Sequence, residues 1–499
     1  MDIINKLTKA FHPGDTTPIV SPSLPEEVVS ILGELQRELE KLREENKKIA
    51  EENRRLKERL SKNSSNSSKP PSTDGFSKNK TKKKPKPKNL RDKSERKPGG
   101  QPGRKGVTLE PSENPDHTQD HQVDFCPCGC HLDDSTLIRI EKRQVADIPP
   151  PVLEFTEHRA EVKVCPRCGV EVKAEFPPGV NGPVQYGPFI KACASYLMEY
   201  QLIPFARCAE TLEDLFGAPV SEGSLGNFKR RFAKAVAAPV ESIKRLITEV
   251  KVAHFDETGI SVNGRRIWLH VACTPLATHY AIRVDRGRKA MDDIGVLPEF
   301  GGRAIHDHLS SYYGYNCLHG ECGAHILRNL KFLEEERNQE WAKRMRLLLA
   351  GANELVKQAK ASGRSTLEEE VERTLESAYG RIIDEGMRRH PPPVKEPGKR
   401  GKPKRTRERK MLDFLFEYEN EILAFMRDFD VPFDNNLAER DIRMNKTKQK
   451  ISGTFRGDDG HNHWCDIRSY ISTARKNGIN VIEAIAAALN GVPFVPNTA

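Results

Sequence analysis

A long polar stretch near the start of the chain excludes one continuous globular core. Serine, proline, glycine, lysine and arginine dominate residues 61–106, which read SKNSSNSSKPPSTDGFSKNKTKKKPKPKNLRDKSERKPGGQPGRKG. Such a composition buries too little apolar surface to offset the conformational entropy lost on folding. We therefore interpret 63–115 as a disordered basic linker between separate domains. Its cations suit contact with nucleic-acid phosphates, and a purely solubilising linker is the alternative.

The segment before this linker has the heptad pattern of a coiled coil. Ser23 is a suitable helix cap, with Glu26 three residues later. Apolar residues then repeat every seven positions in two interleaved seams: Val28, Leu35, Leu42, Ile49 and Leu56 in one, and Leu32, Leu39 and Leu60 in the other, whose remaining positions are Asn46 and Asn53. Asparagine at such positions fixes the register of parallel dimers. The pattern favours a zipper at 23–62 that forms a homodimer or higher oligomer; a surface helix packed on its own chain is the alternative.

Five of the eleven cysteines lie between residues 126 and 168. Cys165 and Cys168, in CPRCG, have the spacing with which two thiolates on a tight turn share one Zn²⁺. We expect a zinc-binding domain at 116–180, although the first half of the site is irregular. Its candidate ligands are Cys126 and Cys128, with Cys130, His121 and His131 as alternatives. Free, partly buried thiols are the other interpretation.

The charge and the apolar pattern limit the classes of partner and compartment. The formal net charge of +10 is concentrated in short Lys/Arg runs, which indicates an anionic polymer as partner. The other six cysteines are scattered, as is typical of a reducing compartment. The start, MDIINKLTKAFHPG, lacks a secretory signal, and no run of about 18 apolar residues occurs. The sequence predicts a cytoplasmic protein without a membrane span, associated with the nucleoid when bound to DNA.

Residues 185–250 have a helical pattern with one short break. In CAETLEDLFGAPVSEGSLGNFKRRFAKAV, a Gly/Pro turn separates two helices, and Ser221 is a suitable cap for the second. That helix carries Lys229, Arg230 and Arg231. The spacing permits a helix-turn-helix whose second helix enters the major groove of DNA; packed helices of an ordinary bundle are the alternative.

The periodicity changes to that of strands at residue 251. KVAHFDETGISV, RRIWLHVACT and HYAIRVDR follow at hairpin spacing, and a helix around 287–296 separates them from GRAIHDHLSSYYGY. We predict a sheet of three sequential antiparallel strands and a further strand. The first strand is predicted to end on Asp256 and Glu257, and the fourth near Asp307. Helical patterns then dominate, and 330–430 is interpreted as a helical insertion before a helix that carries Glu439.

Asp256, Asp307 and Glu439 are the acids that two strands and a later helix can bring together. Phosphodiester cleavage by two divalent cations needs such carboxylates, because Mg²⁺ prefers oxygen ligands. Asn435, Glu439 and Arg443 share one helix face, so that the carboxylate can bind metal beside a cation for DNA phosphate. An ordinary salt pair between Glu439 and Arg443 is the alternative. The basic track of this region comprises Arg440, Arg443, Lys446, Lys448, Lys450 and Arg456.

Several motifs occur together in one order along the chain. They are HFDETG, HDHLSSYYGYN, ECGAHILRNL, PFDNNLAERDIR and KISGTFRG, preceded by SSNSSKPPSTDG, PGGQPGRKG and CPRCG and accompanied by RSYISTARKNGIN. Over roughly residues 25–495, this set resembles the insertion-sequence 66 transposase family, a group of bacterial DDE transposases. The irregular FCPCGC segment departs from the family pattern.

The resemblance implies a fold class and a set of site residues. The class is multidomain α+β: a coiled coil, a small zinc-binding domain, a ribonuclease-H-like α/β catalytic core at 251–460 with a helical insertion, and a C-terminal helical element at 461–499. The catalytic residues that match are Asp256, Asp307 and Glu439. The resemblance also implies that His325 and Arg328 contact DNA or the metal shell, with helix packing as the alternative. A metal pair of Cys322 with His325 is a further alternative.

The function implied by the resemblance is DNA transposition. The protein would bind the terminal repeats of its element and cleave and transfer strands with two Mg²⁺ or Mn²⁺ ions; the need for helper proteins stays open. One alternative is a zinc-containing DNA-binding regulator that does not cleave. The other is a ribonuclease-H-like nuclease that cuts and does not join.

Overall fold

The computed structural model describes most of the chain after residue 108. The described residues are 41, 44–46, 48–53, 56–57, 109–133, 136–148, 151, 153–394, 403–455 and 459–496. Most of the predicted zipper and of the predicted linker therefore lies outside them, as does Arg456. The described residues between 41 and 57 are helical. In the part of the chain that the structure describes, no helix is long and apolar enough to cross a membrane.

The chain divides into two compact units. The first contains the N-terminal helical residues and Arg328–Arg346, and the second contains the described residues from Leu109 to Leu327 and from Leu347 onward. Within the first unit, the Arg346 guanidinium donates to Glu334 over 2.7 Å. Arg328, one of the predicted DNA contacts, is half-buried in this unit.

The second unit begins with the cysteine-containing segment. It contains an antiparallel hairpin of β1 (Val162–Val164) and β2 (Glu171–Lys173), whose turn carries CPRCG. Gly169 in this turn has φ +72°, a conformation that favours glycine. Most side chains of the segment are exposed, so local turns rather than a core determine its shape.

Four helical elements follow. They are α1 (Pro188–Ser195), a π-helix (Tyr196–Tyr200), α2 (Phe205–Phe216) and α3 (Glu222–Glu249). The predicted Ser221 cap is confirmed, because its hydroxyl accepts the Ser224 N–H over 3.2 Å. Lys229 is buried and pairs with Glu199 at 3.1 Å, whereas Arg230 and Arg231 are exposed.

A mixed five-stranded sheet forms the centre of the second unit. Its strands are β3 (Val252–Val262), β4 (Arg265–Cys273), β5 (Thr278–Arg283), β6 (Arg303–His306) and β7 (Leu318–Glu321), in the order β5-β4-β3-β6-β7. The pairs β3–β4 and β4–β5 are antiparallel, whereas β6 is parallel to β3 and β7 is parallel to β6. The three antiparallel strands and the helix α4 (Arg288–Ile294) confirm the predicted order of elements.

The sheet corrects one predicted boundary and adds one strand. The first strand does not end on Asp256 and Glu257 but continues to Val262, because β-branched and apolar residues pair with β4 along its whole length. The hairpin turn that ends it is Asn263–Gly264, both with positive φ, which suits a type I′ turn. The four-residue strand β7 was not predicted.

Helices account for the rest of the second unit. Their bounds, including two helices that begin or end in the first unit, are α5 (Gly323–Arg337), α6 (Glu340–Ala361), α7 (Glu369–Arg389), α8 (Arg407–Glu417), α9 (Glu419–Arg427), α10 (Asn436–Ser452), α11 (Gly460–Lys476) and α12 (Val481–Leu489). The mixed sheet and the many helices confirm a multidomain α+β class.

Helices cover both faces of the sheet. Apolar residues of α3 and α4 pack on one face in a cluster that includes Ile243, Ile247, Phe255, Met291, Ile294 and Phe300. Residues of α10 and α11 pack on the other face in a cluster that includes Ile260, Leu269, Val271, Ile442 and Trp464. Residues two apart in β3 share a face, so Asp256 points to the same side as Ile260, toward α10.

Candidate active site

Of the predicted acids, Asp256 lies on β3, and Asp307 lies just after the strand that is parallel to it. Asp307 directly follows β6, and the parallel pairing of β3 with β6 ends at His254 opposite Ile305. Asp256 and Asp307 each lie two residues beyond this last pair, which places them near one another. The charge of Asp307 contributes to the raised pKa of Asp256, which is consistent with this proximity.

The third acid comes from the helix that packs on β3. Glu439 lies in the first turn of α10, and α10 packs against β3 and β4. Its charge also raises the pKa of Asp256. The structure therefore brings Asp256, Asp307 and Glu439 to one region, from elements that are far apart in sequence.

Asn435 attaches the start of α10 to β3. Its side-chain amide donates to the Phe255 carbonyl over 2.7 Å, and its Oδ1 lies 2.9 Å from His254 Nδ1. Because an amide oxygen only accepts hydrogen bonds, Nδ1 is the donor. The Asn435 N–H donates to Cys322 Sγ over 3.2 Å. Asn435 is buried, and the neighbouring Asp434 carboxylate accepts the Asn436 N–H over 3.0 Å at the start of the helix.

Burial and mutual repulsion shift the acids of the site. Burial first, and then the charges of Glu257 and Asp307, raise the pKa of Asp256 well above its usual range. Burial and Glu257 raise the pKa of Asp307 to about 6, against the opposing effect of Arg286. Among the described residues, Asp307 Oδ1 has no hydrogen-bond partner although it is buried. A bound cation would relieve both the repulsion and this missing contact.

A second buried carboxylate lies on the other face of β3. Glu257 accepts hydrogen bonds from Arg286 Nε over 2.7 Å and from the Tyr312 hydroxyl over 2.6 Å. Arg286 also lies 3.8 Å from Asp307 Oδ2, and its guanidinium stacks over Trp268 at 5.1 Å. Arg286 thus connects Glu257 to Asp307. Sequence reasoning missed it, since an arginine that follows a strand carries no motif of its own.

The histidines that flank Asp307 both face away from the site. His306 and His308 place Nδ1 at 3.9 Å and 2.9 Å from Glu321 of β7. Tyr313 donates to the same carboxylate. Through these contacts, both histidines support the loop that follows β6.

Glu439 has a cation on one side and a group of possible metal ligands on the other. Arg443 Nη2 lies 3.7 Å from Oε2, and His325 Nδ1 lies 3.7 Å from Oε1. Cys322, His325 and Glu439 offer ligand atoms that all lie within 4.8 Å of one another. Cys322 is buried, and burial raises the pKa of its thiol to about 12.

The predicted DNA contacts of α10 differ in exposure. Arg440, Arg443 and Lys450 are exposed and lie within one broad face of the helix. Lys448 is half-buried, with Nζ over the Phe455 ring at 5.5 Å. Lys446 Nζ donates to the Gly259 carbonyl over 2.9 Å. The last two lysines therefore contact the protein itself.

The two cysteine loops have similar backbone turns. The Cys126 N–H donates to the Cys130 carbonyl over 2.9 Å, and the Cys165 N–H to the Val170 carbonyl over 2.9 Å. A backbone hydrogen bond from Cys130 lowers the pKa of Cys128, and one from Arg167 lowers that of Cys165. Such turns favour the thiolate form that zinc binds.

Comparison with known families assigns the class of the protein. Residues 124–169 match the zinc-finger binding domain of transposase IS66, and residues 183–463, more than half of the chain, match the Transposase IS66 family. A transposase with a zinc-finger segment is a DNA-binding protein. The chain belongs to the Transposase IS66 family, as its motifs predicted. Residues 23–110 match a family of unknown function, and no curated protein matches the sequence.

Proposed function

We propose that this chain cleaves the ends of its element and joins them to target DNA, using two divalent cations held by Asp256, Asp307 and Glu439. One observation supports the proposal: Asp307 follows the strand that is parallel to β3, and the helix that carries Glu439 packs on β3, the strand of Asp256. The crowding that raises the pKa of Asp256 is of little use to a purely structural site, because it costs stability.

The donor set suits Mg²⁺ or Mn²⁺. All three side chains offer carboxylate oxygens, the ligands that hard cations prefer. The buried Asp307 Oδ1 has no partner among the residues described. Three carboxylates are a donor set from which two such ions, about 3.5–4 Å apart, can be held.

The residues of this chain would act as positioned ligands and phosphate contacts. When bound, the two cations activate the attacking oxygen and stabilise the leaving oxygen. Asp256, Asp307 and Glu439 would hold these ions. Arg286, fixed by Glu257, holds Asp307 in place. The exposed Arg440, Arg443 and Lys450 contact DNA phosphates.

The reaction needs no nucleophile from the protein. Water attacks the phosphodiester at the element end, the P–O bond to the 3′ oxygen breaks, and that oxygen leaves as a 3′-hydroxyl. The new hydroxyl then attacks a phosphodiester of target DNA and displaces a target 3′ oxygen. Each step exchanges one P–O bond for another, so no cofactor beyond the cations is required.

The remaining assignments are part of the same proposal. The core is ribonuclease-H-like, which fits three antiparallel strands followed by two parallel ones with helices on both faces. Zn²⁺ is held by Cys126, Cys128, Cys165 and Cys168, with Cys130 as the alternative in the first pair. Coiled-coil segments at 23–62 join copies of the chain so that two element ends are held together, in the cytoplasm on the nucleoid.

The test is cleavage of a labelled element end by wild type and by Asp256→Ala, Asp307→Ala and Glu439→Ala. We expect Mg²⁺- or Mn²⁺-dependent nicking by wild type and its loss in all three variants at unchanged DNA affinity. Glu241→Ala is the matched control, because Glu241 is an exposed acid of α3. A variant that cuts like wild type removes its residue from the site.

The products separate this proposal from its alternatives. Joining of the cleaved end to a target plasmid supports transposition, whereas cutting without joining indicates a nuclease. Tight DNA binding without cleavage, with either metal, indicates a regulator.

A further inference from the structure

Cys322, His325 and Glu439 meet where β7, α5 and α10 come together. Cys322 lies between the end of β7 and the start of α5, and His325 follows within the first turn of that helix. Their ligand atoms, with one from Glu439, lie within 4.8 Å of one another. Within the described ranges this is the one set of three His, Cys, Asp or Glu side chains so close.

Backbone contacts fix the geometry of this group. The Gly323 N–H donates to the Phe433 carbonyl over 2.9 Å, and the Asn435 N–H donates to Cys322 Sγ over 3.2 Å. A Cβ at Gly323 would lie 2.4 Å from the Phe433 ring, so only glycine permits this approach. The start of α5 is therefore held against the start of α10.

The chemistry of the group differs from that of the acids on the strands. A thiol, an imidazole and a carboxylate form a mixed sulfur, nitrogen and oxygen set, which suits Zn²⁺ with one position left for water. Mg²⁺ avoids sulfur and prefers oxygen. Tetrahedral zinc needs ligand atoms about 3.5 Å apart, which small rotations of His325 and Glu439 can supply. Both side chains are 19% exposed, so an ion can enter from their side.

We propose that Cys322, His325 and Glu439 form a second binding site for Zn²⁺ or a similar borderline divalent cation. Oε1 of Glu439 faces His325 and Oε2 faces Arg443, so an ion held here competes with the catalytic set for this carboxylate. Zinc at this site therefore withdraws Glu439 from the catalytic set and inhibits cleavage. The inhibition rests on the proposed function, whereas the binding site does not.

The first experiment counts bound zinc. Full-length wild type, Cys322→Ser, His325→Ala and Cys208→Ser are dialysed against buffered Zn²⁺ in excess Mg²⁺, and metal content is measured by mass spectrometry. Cys208→Ser is the matched control, because it removes another fully buried thiol. We expect one zinc ion fewer in Cys322→Ser and His325→Ala than in wild type and the control, with unchanged circular dichroism.

The second experiment measures Mg²⁺-dependent nicking by wild type as Zn²⁺ is added. Inhibition over the same zinc range that fills the extra site supports the competition for Glu439. Equal zinc content in all four proteins overturns the site. A zinc difference without inhibition overturns the competition. A zinc difference in a protein that never nicks DNA leaves the site standing and refutes the proposed function instead.

Discussion

The sheet acids and the cysteine loops are assembled in opposite ways. Asp256, Asp307 and Glu439 are distant in sequence, and a buried sheet and the Asn435 contacts bring them together. The cysteines lie a few residues apart on exposed turns with short local hydrogen bonds. A site supported by a core does not need its metal to fold, whereas a site supported by turns gains much of its folding energy from the metal.

The largest effect is expected at the sheet site and concerns chemistry rather than folding. Asp256→Asn should lower nicking by roughly 10³-fold, since metal-held charge stabilises the transition state by several kcal/mol. The unfolding midpoint in urea should stay the same or rise, because a repelled buried charge is removed. Glu249→Gln, at the exposed end of α3, is the control. A strong loss of stability in Asp256→Asn would contradict the view that the core folds without metal.

Zinc removal should have the second-largest effect and act on the other region. Chelation by EDTA is expected to expose 116–180 to proteases, while the sheet core stays resistant, because only the cysteine loops depend on zinc to fold. Limited proteolysis with mass mapping of the fragments measures this. Cys168→Ser should be cut in the same segment without chelator. If the core is digested at the same rate as the loops, the two regions do not differ as argued.

Asn435 tests how strongly the core defines the acid site. Asn435→Ala should lower the free energy of unfolding by about 2–3 kcal/mol, because two buried hydrogen bonds are lost and His254 keeps an unpaired N–H. Nicking should fall as well, since α10 carries Glu439. Asn436→Ala, at the exposed neighbour, is the control and should change stability little. Urea denaturation measures the stability, and nicking rates measure the activity. If Asn435→Ala is as stable as wild type, the hydrogen bonds of Asn435 to β3 do not stabilise the core.

The sequence predicted which segments form strands better than it predicted where the strands end and which residues of different strands lie close together. The strand periodicity and the hairpin spacing predicted the three antiparallel strands. The four residues of β7 are too few for periodicity to identify, and the acidic residues in β3 interrupted its apolar run although the strand continues. The proximity of Asp256 to Asp307 depends on a parallel register, which no local pattern encodes.

The contacts around the acids were the least predictable. Arg286 reaches Glu257 and Asp307, and Cys322 reaches Glu439, only because elements distant in sequence pack together. The hydrogen bond from the Asn435 amide to the Phe255 carbonyl of β3 likewise joins residues that are distant in sequence. In the cysteine segment, by contrast, spacing alone predicted the turns, because each turn is local. The zinc-finger match at 124–169 supports that prediction.

The raised pKa of Asp307 gives a pH test of the metal-free core. Its folded pKa of about 6 exceeds the usual value, so the folded state takes up a proton that the unfolded state does not. Stability should therefore rise as pH falls through about 6 toward 4, by about 1–3 kcal/mol from this group. In Asp307→Asn this rise should be smaller. Thermal melts without metal at several pH values measure it, and identical profiles would show that Asp307 is not so shifted.

The smallest effect should come from the exposed cations of α10. It is a change in the salt dependence of DNA binding, and it tests whether α10 and the cysteine loops bind DNA independently. If both regions bind the duplex, Arg443→Ala and Lys450→Ala should each reduce the slope of log affinity against log salt by about one, since each phosphate contact releases about one counterion. Arg373→Ala, an exposed cation of α7, should leave the slope unchanged. Zinc removal should lower affinity in wild type and in both variants alike. Chelation could instead abolish the difference in DNA affinity between Arg443→Ala and wild type. In that case α10 contacts DNA only after the cysteine loops have bound it, and these loops control the access of DNA to the sheet acids.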